Sequence, residues 1–478
     1  MTGATPAARF AHLESSLRPY QQEGVAYALA NQRILLADAM GLGKTLQALV
    51  AVETAGAYPC VVVCPAAVKL GWQREVGKWV PWRTVQVLDA GRDKLKRADI
   101  TVLNPELLPA HLDDLRAPPP RSLILDEAHF FKNPNSQRSE NALALSRGVP
   151  LRLALTGTPI KNRREDLVHQ LRILDQLEPV LSVFKGLLPH WWKPSMGPLA
   201  EAHVLRVLTA LDRKTLNDRL RAVCMVRRTK EEVAPDLPPL ERTRVEVVAG
   251  HLKAYHQKEQ AMMAWARKWQ EKFGETAAKA EALAPAMTLE FRAHLTALRR
   301  EAALAKLAFV KDWVEPLVES GERVVFFVYH KDVANQLAAA LPGRVAVLTG
   351  DLPHKQRRSV LDALDQYDFL VATMDSTGYG VDGIQLHASH VAFVELDWTP
   401  TKHEQCEGRL HRIGQTEHVN SWYFVATNTL DRVMMDVLEA KWADIQGVVD
   451  GRGEDDSAFL LAILKKVLAP AAAPKPQP

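Results

Sequence analysis

Leu36–Thr45 reads LADAMGLGKT, between the apolar run RILL and the helical pattern LQALVAVETAGA. A phosphate loop of the strict form G-x-x-x-x-G-K-[ST] wants glycine at position 38, where this chain has Asp38. The rest of the pattern is intact. Gly41 and Gly43 let the backbone approach an anion and turn its N–H groups inward. Lys44 supplies a point charge for β- and γ-phosphates, and the Thr45 hydroxyl suits magnesium. The helix that starts there adds the positive end of its dipole. Asp38 lies at the loop entrance, so the cradle does not depend on glycine there. Met40, Gly41, Leu42, Gly43, Lys44 and Thr45 are therefore candidate ATP contacts.

Outward from the loop, RILLAD, CVVVCP, DITVLN, SLILDE and RLALTG are β-rich runs ending in polar or turn residues, with helical stretches between them. Such alternation predicts a parallel sheet covered by helices on both faces, with active groups beyond the carboxyl ends of its strands. The same alternation returns later in RVVFFVYH, RVAVLTG, FLVATM, HVAFVEL and SWYFVAT. Between the two lie Leu- and Arg-rich helical patterns with one strand run, RTRVEVVA. The expected layout is an α/β lobe over residues 1–160, a helical insertion over 161–310, a second α/β lobe over 311–450, and a disordered Pro/Ala-rich tail over 451–478.

Composition sets the bounds. The chain has 478 residues, 47% of them hydrophobic and 24% charged, as in a soluble globular protein of two or three domains. Lysine and arginine exceed acidic residues by 60 − 56 = 4, too few to identify a nucleic-acid partner alone. Cys60, Cys64, Cys224 and Cys406 form no CxxC pair, and Cys60 and Cys64 flank VVV as reduced core residues. MTGATPAARFAHLESS carries no apolar signal core, and no apolar run approaches membrane-spanning length. A cytoplasmic protein without membrane contact is the expectation.

Three further motifs carry chemistry. SLIL ends in Asp126 and Glu127. Asp126 suits a magnesium ligand, and Glu127 suits the group that orients and deprotonates an attacking water. In LTGTPIKN, Thr156 and Thr158 flank Gly157 and suit a turn that senses phosphate, although a plain strand-to-helix turn gives the same letters. In EQCEGRLHRIGQ, the spacing of Gln405, Arg409 and Arg412 predicts one helix face. Two arginines there suit a γ-phosphate, and a salt-bridged helix end would look alike.

LRPYQQEGVAYAL, LADAMGLGKT, LILDEAHFFKNPNSQRS, LALTGTPIKNRREDL, MVRRTKEEVAPDLPPL and QCEGRLHRIGQ occur in this order from about Leu17 to about Lys441. The set resembles the SWI/SNF-type branch of superfamily-two helicase-like ATPases, whose own phosphate loop carries Asp at the position of Asp38. The compact layout looks most like the annealing-helicase (HARP-like) branch or minimal bacterial and viral relatives. The resemblance implies two RecA-like lobes with ATP and Mg2+ between them. It implies that Gln21 reads adenine, that Lys44, Thr45, Asp126 and Glu127 hold phosphates, magnesium and water, and that Arg409 and Arg412 are arginine fingers with Gln405 nearby. His129 and the Thr156–Gly157–Thr158 turn would couple hydrolysis to lobe movement. The implied partner is double-stranded DNA, met by PAAVKLGWQREVGKW, LNPELL and STGYGVDGIQL. One departure stands out: the family's A-G-G-x-G-x-N-L is here Tyr379–Leu386, with bulkier Val381 and negative Asp382.

Trp191 and Trp192 read as a hydrophobic anchor more readily than as a base-stacking pair, and AWARKWQEKF as a solvated helix face. Arg227, Arg228 and Lys230 fit phosphate contacts or regulatory ones. The reading is an ATP-dependent translocase on duplex DNA, cytoplasmic and nucleoid-associated in a bacterium, or in the host cytoplasm if viral, targeted by a protein partner or by DNA shape. A strand-separating helicase, or a scaffold with a decayed ATPase, remains the rival.

Overall fold

The computed structural model describes residues 12–157, 166–182, 213–273, 277–377, 383–398 and 400–447. The chain divides into two compact units, the first ending at Leu237 and the second beginning at Pro238.

In the first unit, β1 (Arg33–Leu36), β2 (Cys60–Val63), β3 (Val85–Val87), β4 (Ile100–Leu103), β5 (Ser122–Asp126), β6 (Leu151–Leu155) and β7 (Met225–Val226) form a sheet of order β3-β4-β2-β5-β6-β1-β7. Every pairing is parallel. The central strands are continuous apolar runs because helices cover both faces. Alternate side chains feed two separate cores. Leu35, Val63 and Leu125 pack with Phe131 on one face, whereas Ile34, Val62 and Ile124 pack with Trp72 on the other.

The second unit repeats the plan with β8 (Leu240–Val247), β9 (Val324–Val328), β10 (Val345–Leu348), β11 (Phe369–Thr373), β12 (His390–Phe393) and β13 (Val419–Ala426). These make a six-stranded parallel sheet of order β10-β11-β9-β12-β13-β8. Val325 and Phe327 face one core, and Val324, Phe326 and Val328 the other. The expected α/β class with two parallel-sheet lobes is what the structure has.

The stretch 161–310 is expected from its sequence to form a helical insertion between the lobes. Its described residues are shared between the units instead of forming a body of their own. Leu167, Leu171, Leu216 and Leu220 close the first core, and β7 pairs with β1 at the sheet edge. Past the division, β8 pairs with β13 along its whole length. The helices Lys253–Phe273 and Ala277–Glu319 bring Tyr255, Met262, Phe291 and Leu295 into the second core. The helical periodicity matches the helices Lys253–Phe273 and Ala277–Glu319. Its leucines, however, are buried on sheets whose strands lie far away in sequence, which periodicity cannot show.

All four cysteines are free and buried. Among the described residues, no helix is long and apolar enough to cross a membrane. Trp191, Trp192, Thr158, the Tyr379–Asp382 departure and the tail over 451–478 lie outside the described residues.

Candidate active site

Three neighbouring strands set the first unit's site. β6 lies between β5 and β1, and Leu155 is level with both Asp126 and Leu36. All run the same way, so their carboxyl ends deliver Glu127, Thr156 and the Asp38–Thr45 loop to one sheet edge, where open parallel sheets bind ligands.

The loop is held before any ligand arrives. Gly41 (φ +83°) and Gly43 (φ +76°) are left-handed, and Gly43 caps the helix Lys44–Thr54. A Cβ on Gly43 would meet Gln21 Nε2 at 2.4 Å. Gln21 is buried; its Nε2 donates to the Leu42 carbonyl at 3.1 Å, and its Oε1 accepts from the Arg18 amide at 2.9 Å. The Tyr20 hydroxyl donates to the same Leu42 carbonyl. Met40 lies against Gly157, where an added Cβ would come within 2.8 Å of Met40 Cγ. Lys44 Nζ donates to the Asp38 and Ala39 carbonyls at 2.7 and 3.2 Å. Burial lowers the Lys44 pKa, against the opposing pull of Glu127, Asp38 and Asp126.

Asp38 has a job that glycine lacks. It is fully buried, and its Oδ2 accepts from Gln47 Nε2 at 3.1 Å and Arg228 Nη1 at 3.2 Å. Arg227 Nη1 donates to the Ala37 and Gly157 carbonyls. The RR pair that follows β7 thus ties the loop entrance to the sheet edge, and charge-assisted bonds of this kind are the strong ones. This role of Arg227 and Arg228 had no signal in local sequence, because Asp38 and Arg228 are 190 residues apart.

The acidic strand end is electrostatically unbalanced. Burial first, and the Glu127 charge second, push the Asp126 carboxyl up to about 6. Its Oδ2 accepts from Trp72 Nε1 at 2.9 Å and its Oδ1 from the Glu127 amide at 3.0 Å. Glu127 sits in left-handed backbone (φ +50°, ψ +54°), a conformation costing a non-glycine residue about 1–3 kcal/mol and concentrated at functional sites. Glu127 Oε2 lies 3.2 Å from His129 Nδ1, which lies 3.3 Å from Thr156 Oγ1. His129 is buried and stacks on Phe130. The structure therefore brings Lys44, Asp126, Glu127, His129 and Thr156 to one edge.

Two adjacent carboxylates beside a loop built for phosphate fit a divalent cation. Mg2+ takes only one or two protein oxygens, with phosphates and water filling the remainder, and Asp126 and Thr45 are of the right kind.

In the second unit, the helix Pro400–Glu407 carries Gln405 but ends before Arg409 and Arg412, so the three do not share a helix face. The turn tightens because its amides bond three residues back, Arg409 N to the Cys406 carbonyl and Leu410 N to the Glu407 carbonyl. Leu410 is fully buried. Glu407 is clamped by Arg242 Nε and Nη2 at 2.9 and 2.7 Å and by the Ser421 and Tyr423 hydroxyls, each at 2.8 Å. His411 Nε2 and the Pro238 carbonyl are 2.9 Å apart. Arg409 and Arg412 are half-buried on this braced loop.

Fold and edge chemistry together describe a phosphate-loop ATPase of the helicase-like kind. The chain belongs to the SNF2-related family: residues 20–298 match the SNF2-related domain and residues 305–414 the helicase conserved C-terminal domain. It is similar to mouse "DNA annealing helicase and endonuclease ZRANB3", 29% identical over 475 residues covering 92% of this chain and 41% of the relative. It is also similar to the Xenopus tropicalis "SWI/SNF-related matrix-associated actin-dependent regulator of chromatin subfamily A-like protein 1", 29% identical over 448 residues covering 90% and 44%. The chain thus spans about two-fifths of the length of these relatives. Among solved structures it is similar to the Sulfolobus solfataricus SWI2/SNF2 ATPase core in complex with dsDNA, at 22% identity over 95% of this chain and 97% of that one, with a TM-score of 0.41.

Proposed function

We propose that this helicase-like ATPase is an ATP- and magnesium-dependent motor that moves along double-stranded DNA without sequence preference. The observation that carries the reading is the β5 end, where the adjacent carboxylates of Asp126 and Glu127 stand beside a preformed phosphate loop. The mouse relative is named as a DNA annealing helicase, which supports DNA as the substrate class.

In this reading the Gly41–Thr45 amides and Lys44 receive the phosphates, which would draw Lys44 off the loop carbonyls it now bonds. Asp126 and Thr45 would hold Mg2+, whose charge would stabilise the phosphoryl group as it transfers. Glu127 would orient a water and accept its proton. His129, between Glu127 and Thr156, would report phosphate loss to the turn at the end of β6. Arg409 and Arg412 would offset charge on the γ-phosphate, with Gln405 beside them. Gln21, already fixed on the loop, would present the adenine-facing side. Duplex contacts fall to PAAVKLGWQREVGKW, where Arg74 and Lys78 are exposed, and to LNPELL. Phosphate contacts position without reading sequence, so a steep salt dependence follows. The setting is wherever duplex DNA lies, such as a bacterial nucleoid, and choice of DNA structure falls to a protein partner.

Steady-state ATP hydrolysis with no nucleic acid, single-stranded DNA, duplex DNA and RNA tests this, with Lys44→Ala and Glu127→Gln as controls. The expected result is stimulation by duplex DNA that both substitutions abolish. Equal stimulation by single strands or RNA would favour a strand-separating helicase. No hydrolysis under any condition would favour a scaffold.

A further inference from the structure

Trp72 makes a contact that its packing does not require. It is 2% exposed, on the helix Lys69–Trp79 that follows β2, and shares an inward face with Val76 while Gln73, Arg74 and Lys78 are exposed. Phenylalanine would fill most of the same space. A buried indole N–H, however, needs an acceptor, and Trp72 Nε1 has Asp126 Oδ2 at 2.9 Å. The other carboxylate oxygen accepts from the Glu127 amide at 3.0 Å. Each oxygen thus has one fixed donor, one from a side chain and one from backbone. A carboxylate offers about four lone-pair sites, so this pair of bonds sets the carboxylate plane and leaves the remaining sites free for another ligand.

We infer that Trp72 is a positioning residue, holding the Asp126 carboxylate in the orientation that receives Mg2+. The inference deepens the proposed function and rests on its reading of Asp126 as the metal ligand. The backbone donor cannot be lost without moving β5, whereas the indole donor belongs to a different element. Asp126 therefore keeps its aim only while the helix Lys69–Trp79 stays docked. Outer groups that orient metal ligands typically contribute about 10–100-fold in metal affinity.

The test uses the full chain with a non-hydrolysable ATP analogue. Mn2+ binding is followed by electron paramagnetic resonance, and Mg2+ by competition. Trp72→Phe removes the N–H and keeps an aromatic ring. The expected result is a metal midpoint raised about 10–100-fold, with analogue affinity in EDTA unchanged. Loss of packing alone would move thermal stability and leave the metal midpoint in place. An unchanged midpoint in folded Trp72→Phe, beside a wild-type chain that binds Mn2+ with the analogue, overturns the role of Trp72 alone. A wild-type chain without analogue-dependent Mn2+ binding overturns the metal site, and this inference with it.

Should Trp72→Phe not fold, wild type labelled with 15N at its indoles gives a second readout. Mn2+ should bleach one slowly exchanging indole signal among those of the 11 tryptophans. A spectrum in which no such signal is bleached overturns the inference.

Discussion

Asp126, half-buried at the end of β5, and Glu407, buried at the end of the helix Pro400–Glu407, are both carboxylates, and the protein treats them in opposite ways. Glu407 receives two bonds from Arg242 and one each from Ser421 and Tyr423. Burial opposes its ionisation, but Arg242 and the two hydroxyls outweigh burial and hold its pKa below the usual carboxylate value. Asp126 receives one indole N–H and one amide, stands next to Glu127, and is pushed the other way. A saturated carboxylate is a structural tie. An under-supplied one, with a second carboxylate beside it, stores a demand for positive charge that a metal nucleotide would meet.

Four measurements press on that contrast. The largest effect is expected at the under-supplied end: Glu127→Gln should lower the hydrolysis rate about 10²–10⁴-fold. Single-turnover assays would show this, with binding of a non-hydrolysable analogue kept within a few-fold. Activity that survived would remove Glu127 from the chemistry. Next, Glu407→Ala would leave the half-buried Arg242 and the buried Ser421 and Tyr423 hydroxyls without their acceptor, and should cost about 1–3 kcal/mol in urea unfolding. The double variant Arg242→Met with Glu407→Leu should recover much of that loss, since well-packed apolar replacements of buried pairs are often neutral.

Asp126→Asn should do the reverse and stabilise the nucleotide-free chain by about 1–3 kcal/mol at pH 7.5. The sign follows from the raised pKa. The unfolded carboxyl ionises near its ordinary value of 3.8 and the folded one only near 6. Its contribution therefore favours folding below the lower value and is lost as pH climbs through the higher. The variant's advantage should be small at pH 4, grow through pH 6 and level off above about 7. Glu407 has the opposite sign, its contribution being lost as pH falls below the ordinary carboxylate range. Smallest of all, Tyr423→Phe removes one of four hydrogen bonds to Glu407 and should cost about 1 kcal/mol by the same urea measurement. A much larger cost would mean that the cage is cooperative rather than redundant.

The two carboxylates also show what the sequence made legible. Asp126 was readable because its signal is local: an apolar strand ending in acids, downstream of a glycine-rich turn. Eleven of the thirteen strands were legible from their own runs, most of which are buried on both faces and therefore largely apolar. β3 and β7 escaped because Val85–Val87 and Met225–Val226 are too short to show a pattern. The Glu407 cage escaped because its key partner, Arg242, is 165 residues away, and pairing at that distance leaves no mark on either neighbourhood. Trp72 lies in PAAVKLGWQREVGKW, a stretch that the family resemblance assigns to duplex DNA and that carries no local sign of the contact Trp72 makes. Which acceptor its N–H would find was not encoded nearby. The arginine spacing misled because it assumed that a helix continues, whereas the chain tightens into a turn after Glu407.

One more consequence follows from where β7 stands. Arg227 and Arg228, immediately after it, fasten the entrance of the phosphate loop. A short stretch later the chain leaves the first unit at Leu237, and the next residue, Pro238, shares a hydrogen bond with His411 on the loop that carries Arg409 and Arg412. The connecting peptide is thus a strap, buckled at one end to the cradle and at the other to the arginine loop. Each end of it is fastened to its loop by hydrogen bonds, those of Arg227 and Arg228 at one end and that of Pro238 at the other. Its length is therefore set between two anchors, and an inserted glycine or two between Ala234 and Pro238 would lengthen that tether without touching a single residue of either loop.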